Sequence, residues 1–157
     1  MNDSLGHWHH KKLFNPEDYY GFIYRITFLL TGEQYIGKKT FYTWNRTGTK
    51  RGKESNWKTY TSSSKEVNQL IDEYGMECFH FEILTLCCTK GCWSYAENNI
   101  MHKLDVLTAV DDHWGMRRYL NRRINATQWV PKFCNAIINI NKLENEERKE
   151  QVSVCRG

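Results

Sequence analysis

Proline is nearly missing from this chain: Pro16 and Pro131 are the only two in 157 residues, and no Gly/Ser-rich stretch, low-complexity tract or internal repeat divides it. A hinged arrangement of domains is therefore not expected, and 40% hydrophobic residues over this length suit one domain with a real core. No run approaches the ~18 apolar residues of a membrane span. The amino-terminal MNDSLGHWHHKK also lacks the apolar region of a secretion signal. These absences predict a soluble, cytoplasmic protein. Its six cysteines, Cys78, Cys87, Cys88, Cys92, Cys134 and Cys155, then read as free thiols rather than a disulfide framework.

Acid is scarce where base is plentiful. Between Lys38 and Lys58 lie Lys38, Lys39, Arg46, Lys50, Arg51, Lys53 and Lys58 against the single acid Glu54. Phe41, Tyr42, Trp44 and Trp57 are interleaved with them, so cations that neutralise phosphates alternate with rings that stack or pack. A second basic cluster follows at Arg117, Arg118, Arg122 and Arg123. Either cluster alone is equally well a solvated loop. The pair of them, with the aromatics, points towards nucleic acid.

Strand periodicity opens the ordered part of the chain. Phe22, Tyr24, Ile26 and Phe28 alternate with Arg25 and Thr27, and Thr31-Gly32 turns the chain into a returning strand over Glu33 to Lys39. From Thr40 to Thr61 no period shows, which predicts an irregular basic loop. Ser63-x-x-Glu66 is a capping box for a helix carrying Val67, Leu70, Ile71 and Tyr74 and ending at Gly75. Phe79, Phe81 and Ile83 alternate with His80 and Glu82 in a third strand reaching Cys87. A second helix is predicted from Trp93 to Ala109, with Ala96, Ile100, Leu104 and Leu107 as its inner stripe and Asn98, Asn99, His102, Lys103 and Asp105 outside.

Glu97 falls on that inner stripe. A carboxylate there costs free energy unless something pairs with it, such as a neighbouring Arg or Tyr.

With these residues in place, Phe22-Ile23-Tyr24 and Tyr35-Ile36-Gly37, separated by ten residues between the tyrosines, resemble the paired motif of the GIY-YIG nucleases. The resemblance is closest to the phage-type members related to homing endonucleases. It extends over Lys38-Lys39, Trp57-Lys58-x-Tyr60-x-Ser62-Ser63, Tyr74-Gly75, Phe79, Glu82-Ile83-Leu84, Thr89-Lys90-Gly91, Glu97 and Tyr119-Leu120-Asn121. It implies an α+β fold, a small three-stranded antiparallel sheet flanked by helices. It also implies metal-assisted hydrolysis of a DNA phosphodiester, with Glu97 holding one Mg²⁺ (or Mn²⁺) and water completing the shell.

The same resemblance makes Tyr24 the general base, helped to ionise by Lys38 and the metal, and gives Tyr35 a hydrogen-bonding role in the site. Asn121 would brace the site. Arg46 is chosen as the phosphate clamp because a guanidinium fork matches phosphate oxygens, with Lys39 or Arg51 as substitutes. The family's arginine lies eight residues beyond the motif glycine, where this chain has Asn45, and its first glycine is here Phe22, with Gly21 one place early. Lys39, Lys50, Arg51, Lys53, Lys58, Arg122 and Arg123 are the expected DNA contacts.

Two rival readings stand beside this one. A zinc protein would use Cys87, Cys88, Cys92 and the His7/His9/His10 cluster, but Cys88-x-x-x-Cys92 is a single loose pair. A catalytically weak or inactive DNA- or protein-binding module would keep the fold without the chemistry. The expected boundaries are an N-terminal extension over 1–20, the nuclease domain over 21–130 and a C-terminal extension over 131–157. Within the last, Phe133 to Ile140 reads as a strand or short helix and Asn141 to Gln151 as a solvated charged segment. No zinc-finger or helix-turn-helix pattern shows in this sequence, so sequence specificity is not readable from it; weak specificity, or reliance on a protein partner or a second copy of itself, is the expectation.

Overall fold

A computed structural model describes residues 5–112 and 115–125, together with Leu143. The expectations for 131–157, including those for Phe133 to Ile140 and Asn141 to Gln151, lie outside the described residues. The architecture is α+β. Strands β1 (Gly21–Phe28), β2 (Gln34–Thr40) and β5 (Phe79–Cys87) form an antiparallel sheet in the order β2-β1-β5. Helices α1 (Lys65–Tyr74) and α2 (Lys90–Lys103) accompany it. No helix among the described residues is long and apolar enough to cross a membrane.

Two cores form because β1 is buried on both faces. Phe22, Tyr24, Ile26 and Phe28 pack with Phe41, Trp57 and the α1 residues Val67 and Ile71. Ile23 and Ile36 pack on the other face with Cys92, Ala96, Ile100 and Met101 of α2. Arg25, on that second face, is 4% exposed and donates to Glu82 at 2.9 Å. Burial pushes the Glu82 carboxyl up, but the His80 hydrogen bond and the Arg25 charge outweigh it and hold the group below the usual range. The segment before β1 also belongs to the packing: Trp8 is buried in the first core, and His9 exchanges main-chain hydrogen bonds with Phe81 and Ile83 along the β5 edge.

Several sequence expectations change in detail. Tyr42–Trp44 and Arg51–Glu54, in the stretch expected to be irregular, are strands β3 and β4 of a separate two-stranded ribbon. Its tip is closed by Asn45, whose Oδ1 accepts from the Thr49 and Lys50 amides. Phe41 and Trp57 are fully buried, so these two rings pack and do not stack on a ligand. The cap of α1 is Ser64, one residue later than the predicted box, its Oγ accepting from Val67 N. Three serines in a row offered three cap positions, and only the tertiary path selects among them.

Helix α2 likewise starts and ends earlier than expected. Thr89 caps it, accepting from Cys92 N, and it stops at Lys103 because Asp105 turns to a φ of +49°, a conformation Asp tolerates. Leu107 is consequently exposed, while Asn98, expected outside, is buried.

Candidate functional site

Alternation along β2 sends Tyr35 and Gly37 to the face that carries Tyr24, and Ile36 and Lys38 to the face against α2. The two sets meet along β2, where a cleft of about 400 Å³ is lined by Tyr24, Tyr35, Gly37, Lys38, Ser63, Ser64, Trp93, Glu97, Asn121, Arg122 and Arg123, among others. Glu97 is the only carboxylate among the described lining residues, against the cations of Lys38, Arg122 and Arg123. An anion is the ligand this balance suits.

Tyr24 sits opposite Gly37 in the strand pairing, and a register shift between Ile23 and Tyr24 leaves Leu84 of β5 as an extra residue there. Such a bulge re-aims the neighbouring side chain. The reason for glycine at the end of the second motif is visible here. A Cβ on Gly37 would lie 2.4 Å from both Cζ and Oη of Tyr24. The ring occupies the space a side chain would need. Gly37→Ala is expected to displace the phenol and lower stability by about 1–3 kcal/mol through overpacking; a melting curve checks it, and an alanine variant as stable as the wild type would refute the steric account.

Burial holds the Tyr24 phenol well above its ordinary range, and the neighbouring phenols of Tyr60 and Tyr35 push it further, with a Ser62 hydrogen bond opposing them. The Tyr35 phenol is also raised, by burial first, while Ser63 and Ser62 oppose. Lys38, expected from the sequence to help Tyr24 ionise, is engaged elsewhere. Its Nζ lies 3.5 Å from Glu97 Oε1, 3.5 Å from Ser94 Oγ and 4.2 Å from the centre of the Trp93 ring. Burial pushes the Glu97 carboxyl up, and Lys38 offsets this only in part. The partner of Glu97 is thus a lysine, where the sequence suggested an Arg or a Tyr.

Asn121 is 2% exposed and pairs with the Ile36 main chain in both directions, accepting from its N–H at 2.9 Å and donating to its carbonyl at 2.8 Å. Two residues earlier on β2, Gln34 makes the same pattern with the main chain of Arg118 and Leu120. The Asn121 amide therefore continues the sheet edge as if it were one more peptide unit, and ties the chain bearing Arg122 and Arg123 to the motif strand.

Arg46 does not join these residues. It is exposed near the tip of the β3–β4 ribbon, turned there by the Asn45 loop, with its carbonyl accepting from Lys90. Lys50, Arg51 and Lys53 lie exposed on the same ribbon, Arg51 over the Tyr42 ring at 4.7 Å. Lys58 is paired with Glu54 at 3.5 Å, and Lys39 covers the Tyr60 ring at 4.1 Å with its ammonium made more acidic by burial. Arg122 is held by Glu66 at 3.0 Å, whereas Arg123 is exposed at the cleft. Ser62, Ser63 and Trp93 around the phenols and the lysine were missed by sequence reasoning. Ser62 and Ser63 belong to the Trp57-Lys58-x-Tyr60-x-Ser62-Ser63 run of the resemblance, but that run gives neither a place in the site, and Ser63 otherwise reads as a helix cap.

Among the described residues no three His, Cys, Asp or Glu side chains converge as a metal cluster, and Cys87 and Cys92 are buried as part of the second core. A family model described as "Putative endonuclease segE, GIY-YIG domain" matches residues 8–124. No curated protein and no solved structure matches the chain. The match covers well over half of the sequence, starts at the buried Trp8 and includes every residue of the cleft named above. On the strength of that match, and of a three-stranded antiparallel sheet whose two motif tyrosines line one cleft with Glu97, the chain belongs to the GIY-YIG nuclease family, in its segE-type branch.

Proposed function

We propose that this protein is a divalent-metal-dependent DNA endonuclease of the phage homing type, hydrolysing a phosphodiester in the cleft beside β2 and leaving 5′-phosphate and 3′-hydroxyl ends. The observation that carries the reading is the convergence of Tyr24, Tyr35, Lys38, Glu97 and Asn121 on one cationic cleft. Tyr24 takes the proton of the attacking water. Tyr35 orients water or phosphate by hydrogen bonding. Lys38 and Arg123 neutralise the phosphate, since each reaches the cleft and a guanidinium fork matches phosphate oxygens. Asn121 keeps the arginine segment in register with the motif strand.

The donor set fits Mg²⁺ or Mn²⁺. One carboxylate in a polar cleft suffices for a cation that keeps several of its waters, and Glu97 is the residue that would hold it. When bound, such a cation supplies charge neutralisation at the phosphoryl and leaving oxygens. The ribbon residues Arg46, Lys50, Arg51 and Lys53 dock the duplex away from the chemistry, because a two-stranded β-ribbon fits the major groove.

The test is nicking of supercoiled plasmid in Mg²⁺ against EDTA and Ca²⁺ controls, beside DNA binding over a salt series. Cleavage in Mg²⁺ only is expected. If the ribbon engages about four phosphates, log K falls with log salt at a slope of about −3.6. Replacing Lys50, Arg51 and Lys53 together then weakens binding on all sequences alike and flattens that slope. Binding without cleavage on every substrate would return the protein to the binding-module reading.

A further inference from the structure

Lys90 opens α2 and does not line the cleft, although Thr89-Lys90-Gly91 belongs to the resemblance. What it touches is the tip of the β3–β4 ribbon. Its ammonium donates to the Arg46 carbonyl at 3.1 Å. Its stem lies against Gly48, where an added Cβ would come within 2.6 Å of Lys90 Cδ, and Gly48 holds a φ of +73° that glycine adopts freely. Asn45 already closes that tip from within, so Lys90 grips a formed loop.

The root of the ribbon reaches the same helix through a column of rings. Trp44 stacks on the buried Tyr20 with centroids 4.7 Å apart, and Tyr20 packs edge to face with Trp93 at 5.4 Å. Lys90, Trp93 and Glu97 stand at i, i+3 and i+7, which is one stripe of a helix. One side of α2 thus meets the ribbon tip, the ribbon root and the cleft in that order. At a rise of about 1.5 Å per residue, Lys90 and Glu97 are about 10 Å apart along the axis. Phosphates on one strand follow at about 3.4 Å, so the span covers about three of them.

We propose that Lys90 is a positioning residue that fixes the ribbon tip to the helix bearing Glu97, so that a phosphate docked at the tip and the phosphate being cut are held about three nucleotides apart. Lys90 touches no reacting atom and acts through Arg46 and Gly48. The inference rests on the reading of the ribbon as docking surface and the cleft as cutting site.

Spin labels carried on unnatural amino acids in place of Thr47 and Lys103, both exposed, report the distance from ribbon to helix in the full chain by pulsed electron resonance without DNA. A narrow distribution is expected with Lys90 present, broadening about twofold in Lys90→Ala as the tip loses its hold. On a duplex with one mapped nick, uncharged methylphosphonates are then placed singly along either strand. Wild-type single-turnover cleavage should fall about tenfold when the replaced phosphate lies about three from the nick, through loss of one close charge contact. In Lys90→Ala that peak should flatten while the salt slope of binding stays as it was. A distribution already broad in the wild type, or equally narrow in the variant, overturns the proposal, as does the absence of a peak in the wild type or the same sharp peak in both. A salt slope weakened by about 0.9 with distances unmoved would make Lys90 a phosphate contact and overturn it too. If the wild-type chain cuts no DNA, the endonuclease reading fails separately, and the distances still decide whether Lys90 holds the ribbon.

Discussion

Glu97→Gln is expected to lower the single-turnover cleavage rate by on the order of 10³-fold or more in Mg²⁺, while the variant melts at the wild-type temperature or slightly above it. The first half follows from Glu97 being the one described carboxylate in the cleft. The second half follows from its surroundings. Burial raises its carboxyl above the ordinary glutamate range, and Lys38 at 3.5 Å offsets that only in part. A raised folded value means the folded chain binds the proton more tightly than the unfolded one. The charged form therefore works against folding above that raised value, and the penalty fades as pH falls towards the ordinary glutamate range. In EDTA, the gap in melting temperature between variant and wild type should be largest at neutral pH and close on acidification. A variant that melts several degrees lower and still cuts would mean that Glu97 is a core residue whose work is to pair with Lys38.

Tyr24→Phe should reduce the cleavage rate by about 10²- to 10⁴-fold with unchanged DNA affinity. The pH profile carries the sharper test. Because burial first, and then the neighbouring phenols, hold Tyr24 well above its ordinary range, the phenolate is scarce at neutral pH. The wild-type rate should climb about tenfold per pH unit through neutral and alkaline pH, with no plateau below the ordinary phenol value of about 10. That dependence should vanish in the Phe variant. A Phe variant with near-normal rate would assign the proton transfer to another group.

How much of this was legible depended on whether the deciding interaction was local. Phe22 to Phe28 and Phe79 to Cys87 read as strands because alternation is written along the chain, and Val67, Leu70, Ile71 and Tyr74 read as a helix face for the same reason. Glu97 stood out because an acid on an apolar stripe breaks a local pattern. The β3–β4 ribbon had no such signature. Its strands are three and four residues long, and β4 is exposed throughout, so no alternation of apolar residues could announce it. The choice of Arg46 as clamp failed to place it at the cleft for a related reason: the Asn45 turn that carries it away is made by side chain to main chain hydrogen bonds.

By itself the sequence determined the strand faces, the helix face, the two tyrosines of the motif and the inward carboxylate, since each depends on residue type and spacing within one element. The tertiary structure decided which of these meet. Lys38 and Glu97 come together because β2 and α2 pack on one face, and Tyr24 lies over Gly37 because β1 pairs with β2 in that register. Arg122 and Arg123, with Asn121, enter the cleft because a single buried amide completes the sheet edge at Ile36, 85 residues away in sequence. Separations of that length leave no periodic trace in the chain, because what fixes them is the pairing of buried polar groups that must find partners once the fold has removed their water.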